Sequence, residues 1–171
     1  CLTSWYEKIE KGILPIPIFN ATLVEDGKCF WISPMTFKYS RGKNYIDFNT
    51  LYPKYNIDVT TAARLSATFP YVSPMCRPSK DTKVKYHVAD GGYFDNSGVF
   101  TSIQLLDELL DSGEHKIKKV VFLQINAFPD DKNQEKSAPG WQMEVIGAIL
   151  ALLKVRKSTQ AASNNLNLEL L

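Results

Sequence analysis

HVADGGYFDNSGV, residues 87–99, is the stretch from which the rest of the chain is read. VKYHVA before Asp90 alternates as a strand does, with side chains pointing to opposite faces at a period of two. The strand ends at Ala89, so Asp90 sits where the chain leaves the sheet. In open α/β sheets, sites gather at the carboxyl ends of strands. Gly91 and Gly92 let the backbone turn sharply and let other groups come close. A carboxylate held on such a turn is placed to take a proton from a neighbouring hydroxyl, provided it is oriented within hydrogen-bond reach. Alone, however, Asp-Gly-Gly is also an ordinary strand-to-helix turn.

The neighbours of the tripeptide offer other readings. Ser97 carries a hydroxyl close to Asp90 in sequence, but Ser and Asn just before an apolar helical stripe are favoured N-cap residues, and the cap is the reading taken. Asp90, Asp95 and Asn96 suggest a calcium loop. The spacing fails, because the twelfth residue, where such a loop needs a bidentate Glu, is Thr101. His87 could complete a Ser-His-Asp triad. It reads instead as a structural or surface histidine, and His115 as a solvated one in a polar linker.

Working outward, residues 13–24 are apolar and β-branched, and Pro15 and Pro17 mark their start as a lead-in or edge. Glu25-Asp26-Gly27 reads as a hairpin turn with residues 29–32 as the returning strand. Residues 45–48 form a short strand. Residues 58–68 read as a helix that Asp58 or Thr60 caps and Pro70 ends. Arg64 on that helix reads as a salt-bridge partner or as a contact for a phosphate or carboxylate head group. Residues 100–110 carry a helical stripe at Ile103, Leu106, Leu109 and Leu110. Residues 120–125 are a continuous apolar run, expected as a strand buried on both faces. A final helix spans 141–155, and 158–171 reads as a polar tail. Strand and helix alternate through the second half, which predicts an α/β fold with a mostly parallel sheet.

The composition fits a folded globular chain: 171 residues, 44% hydrophobic and 22% charged. A net charge of +2 supplies no field directed at nucleic acid. The longest apolar run, 145–153, is far shorter than the ~20 residues of a membrane span. No stretch reads as a signal peptide. Cys1, Cys29 and Cys76 form no C-x-x-C pair and no metal cluster. They read as reduced thiols of an intracellular or membrane-associated setting.

AARLSATFPYVSP, residues 62–74, followed by HVADGGYFDNSGV resembles the patatin-like phospholipase family, and PIPIFNATLVEDGKCFWISP, residues 15–34, is similar to the strand pair that precedes this region in that family. The resemblance covers most of 14–126 and is specific over 62–98. It implies that residues 1–171 are the C-terminal portion of one three-layer α/β/α acyl hydrolase domain. It further implies a Ser–Asp dyad with Asp90 as its aspartate, Gly91 and Gly92 shaping the turn, and no metal or organic cofactor. The aromatic residues Phe69, Tyr71, Tyr93 and Phe94 would line an acyl-chain pocket, or else serve as core. The substrate would be a lipid or other acyl ester, with transient contact to a membrane surface through the final helix.

One departure qualifies that expectation. The family's serine stands in a G-x-S-x-G elbow, and no such motif occurs in these residues. Nor does the glycine-rich oxyanion loop. Both are expected upstream of Cys1, in an N-terminal half of the same protein, and the chain alone is expected to be inactive. The rival reading is a patatin-like module that binds or assembles without catalysis.

Overall fold

The computed structural model describes residues 1–37, 44–69, 73–77, 85–111 and 118–125. The chain divides into two units, Cys1–Asn96 and Ser97–Leu171. The expected helix over 141–155, the tail and His115 lie outside the described residues.

The first unit is built on a hairpin. β1 (Phe19–Leu23) and β2 (Lys28–Ile32) pair antiparallel, from Phe19 opposite Ile32 to Leu23 opposite Lys28. The turn between them closes with the Gly27 amide on the Leu23 carbonyl at 2.9 Å. Gly27 has φ +62, a left-handed conformation that a residue without Cβ adopts at no steric cost. β1 begins only after Pro15 and Pro17, whose nitrogens carry no proton for a ladder.

β3 (Tyr45–Asp47) adds parallel to β2, and β4 (Val88–Asp90) adds antiparallel to the other edge of β1, giving the order β3-β2-β1-β4. The fold is therefore α/β in the general sense, but the sheet is mixed and not mostly parallel. For β1 and β2 the reason is local. Strands joined by so short a turn must run antiparallel, because a parallel pair needs a crossover of a dozen residues or more.

One sheet face carries the hydrophobic core. Ala21, Leu23, Phe30, Ile32 and Val88 meet Ala62 of α3 (Val59–Ser66) and Phe48 and Tyr52, which belong to and follow α2 (Phe48–Leu51). On strands the side chains alternate, so Trp31 points the other way. There it stacks on Tyr45 with ring centroids 3.8 Å apart, and Phe37 meets it edge-on at 5.2 Å.

α2 was not legible as a helix, and neither were the short 3-10 turn Leu2–Trp5 and α1 (Tyr6–Glu10). A helix as short as α2 is held by its cap more than by propensity. Asp47, 2% exposed, accepts the amides of Asn49 at 2.8 Å and Thr50 at 3.3 Å, and also the Thr50 hydroxyl. The Asn49 side chain then donates to the carbonyls of Ser33 and Met35, tying the helix to the end of β2.

In the second unit α4 spans Val99–Asp111, as the stripe predicts. It is preceded by Gly98 at φ +72, whose carbonyl accepts the amide and hydroxyl of Ser102 at 3.0 and 2.7 Å. Residues 118–125 differ from expectation. They have no regular secondary structure, and Val121, Leu123 and Ile125 are 77, 83 and 85% exposed. An apolar run becomes a doubly buried strand only where neighbours pair both its edges, and no strand among the described residues pairs with it. Among the described residues no helix is long and apolar enough to cross a membrane.

The Asp47 cap yields a direct test. Asp47→Ala should lower unfolding free energy by about 2 kcal/mol, the upper range for a lost N-cap. Urea midpoints at constant m-value measure it, and Asp47→Ser should recover part of the loss.

Candidate functional site

Asp90 is half-buried at the carboxyl end of β4, and its main chain is held from two sides. Its amide donates to the Thr68 carbonyl at 2.7 Å, just past the end of α3. Its carbonyl accepts the Thr22 hydroxyl of β1 at 2.9 Å. Opposite Ala21 in the register, it faces the same side of the sheet as Val88. The side chain is also fixed: Oδ1 accepts the Gly92 amide at 2.6 Å. Among the described residues Oδ2 carries no hydrogen bond. One carboxylate oxygen is thus an anchor while the other stays available as an acceptor.

Gly91 is needed for space and not for a left-handed backbone. A Cβ at this position would lie 2.0 Å from the Asn20 carbonyl oxygen and 2.5 Å from its carbon. The chain after β4 passes directly over β1, then closes a 3-10 turn, Gly91–Tyr93, in which the Gly91 carbonyl accepts the amides of Phe94 and Asp95 at 3.0 and 2.9 Å. Gly92 contributes the amide that anchors Asp90.

Asn20 is the residue that sequence reasoning missed. Its carbonyl accepts the Ser66 hydroxyl of α3 at 2.5 Å. Its side-chain amide donates to the Asp95 carbonyl at 2.9 Å, and its Oδ1 accepts the Cys29 thiol at 2.8 Å. One strand residue therefore binds the helix, the turn after Asp90 and β2. An Asn amid apolar residues of a strand was the available signal, since a polar side chain there must find partners.

Of the four aromatics assigned to an acyl pocket, Phe69 and Tyr93 come together, stacked at 5.9 Å and 17°. Phe94 is half-buried in the turn beside them. Tyr71 lies outside the described residues. A cavity of about 290 Å³ opens elsewhere in this unit, between the sheet, α2 and α3, with Phe30, Tyr52, Leu65 and Val88 among its walls. Phe69, Tyr93 and Phe94 do not line it. Arg64 does, and among the described residues it has no ion-pair partner.

His87 is engaged away from Asp90. Its Nδ1 lies 2.6 Å from Glu25 Oε1, and its backbone amide donates to the two carboxylate oxygens at 3.1 and 2.9 Å. Tyr86 meanwhile donates to Asp26 at 2.7 Å, so the segment leading into β4 is clasped to the β1–β2 turn. Desolvation pushes the Glu25 carboxyl up, but the hydrogen bonds from His87 outweigh it and hold the group below its ordinary value. Among the described residues no group of three or more His, Cys, Asp or Glu is placed to hold a metal ion.

Comparison with protein-family models, with characterised proteins and with solved structures returned no match to this chain.

Two outcomes follow from this geometry. Gly91→Ala should destabilise by roughly 3 kcal/mol, the upper end for overpacking, and thermal unfolding with Gly91→Ala and Gly98→Ala side by side checks it. The Glu25 clasp has a defined pH window. Its folded-state acidity is stronger than the ordinary value of 4.5, so its contribution is complete above that pH and fades as pH falls below it. The difference in melting temperature between wild type and Glu25→Gln should therefore vanish on acidification.

Proposed function

We propose that this chain carries the aspartate of a serine acyl hydrolase that cleaves lipid acyl esters through an acyl-serine intermediate. The observation that supports the reading is the Asp90 carboxylate. It stands at the end of a strand, pinned through Oδ1 to Gly92 and through its main chain to Thr68 and Thr22, with Oδ2 left to accept a proton. A base fixed in this way needs no histidine to orient it.

In this reading the serine and the oxyanion donors come from a segment preceding these residues in the parent protein. The three-layer α/β/α arrangement is part of the same proposal. Oδ2 of Asp90 takes the serine proton as Oγ attacks the ester carbonyl, and the negative charge moves to the carbonyl oxygen. When the tetrahedral species collapses, the C–O bond to the alcohol breaks and Asp90 returns the proton to the leaving oxygen. Water then enters the same cycle. Asp90 takes its proton, the hydroxide adds to the acyl-serine, and serine leaves with the proton as the carboxylic acid is released. Gly91 lets the turn lie against β1, and Gly92 holds the carboxylate.

The second reading, a module that binds without catalysis, is favoured by the cavity beside Val88, whose lining does not include Asp90.

In the parent protein, Asp90→Asn should lower kcat on a p-nitrophenyl ester by about 10²–10⁴-fold, the range for a lost general base, with KM little changed. Unaltered kcat would remove Asp90 from the chemistry and leave the binding module.

A further inference from the structure

The cavity between the sheet, α2 and α3 has two properties that belong together. Its walls are mostly apolar, with Phe30, Phe48, Tyr52, Leu65 and Val88 among them, so water inside it gains few partners.

The second property is charge. Arg64 from α3 and Arg77 both line the cavity and both are exposed, so they stand at its open side. Among the described residues neither guanidinium has an acidic or hydrogen-bonding partner. Guanidinium groups bind carboxylate and phosphate oxygens through paired, charge-assisted hydrogen bonds. Two of them beside an apolar chamber complement a ligand that is apolar at one end and anionic at the other. Size limits the apolar end. The volume of about 290 Å³ has room for a short apolar chain.

We propose that this cavity binds an anionic amphiphile with one short apolar chain, its chain against Phe30, Leu65 and Val88 and its carboxylate or phosphate head on Arg64 and Arg77. Binding requires no turnover, so the site stands whether or not Asp90 acts as a base.

The test is calorimetric titration of the full chain with decanoate, decyl phosphate and decanol, each below its micelle concentration. Saturable one-to-one binding of at least one anion, about tenfold or more tighter than decanol, is expected. The tighter of the two anions identifies the head group. Arg64→Gln with Arg77→Gln should reduce the anion to the affinity of decanol while leaving decanol itself unchanged. Thr61 lines the cavity from an exposed position on α3, so Thr61→Trp should abolish binding of all three while the circular dichroism spectrum stays that of wild type. Equal affinity for decanol and both anions, no saturable binding, or full affinity in the arginine double variant would overturn the proposal.

Discussion

The site depends first on the passage of the Asp90–Gly91 backbone over the Asn20 carbonyl. There is no room for even a methyl group at that crossing. Everything around it takes its position from the contact. Ser66 brings the end of α3 to the same carbonyl oxygen, Asn20 reaches across to Asp95, and Thr68 and Thr22 hold Asp90 from either side. Buried polar groups that satisfy one another in this way act as a unit, because removing one leaves its partners desolvated and unpaired. The result is a rigid seat for a single carboxylate, assembled from β1, β4 and α3.

Much of this could be read from residue order alone, for identifiable reasons. Asp-Gly between apolar runs specified the β1–β2 turn, because Gly27 must adopt positive φ. The Ala-rich segment with a Pro beyond it specified α3, and the leucine stripe specified α4. Asp90, Gly91 and Gly92 were marked by their place at the end of a strand. What could not be read depends on distant partners. The place of β4 depends on the free edge of β1, and the role of Gly91 on a carbonyl far away in sequence. α2 exists through the Asp47 cap and not through any periodicity, and Asn20 shows its importance only once three elements converge on it.

The run 118–125 shows the same principle from the other side. Composition states that Val121, Leu123 and Ile125 favour burial, but only paired neighbours and covering layers provide it. The aromatic residues divide likewise. Phe69 and Tyr93 meet each other, while the chamber of this unit is enclosed by Phe30, Phe48, Tyr52 and Tyr55.

The pairing of β4 with β1 carries a kinetic meaning. The hairpin β1–β2 closes across a short turn, whereas the Thr22–Asp90 hydrogen bond joins residues 68 positions apart. Closing a long loop costs chain entropy before any contact repays it, so non-local pairings form slowly compared with local ones. The hairpin is complete within itself. The seat of Asp90 does not exist until the far segment has arrived and Gly91 has slotted against Asn20. The pocket of contacts around Asp90 is thus expected to be among the last parts of this unit to assemble.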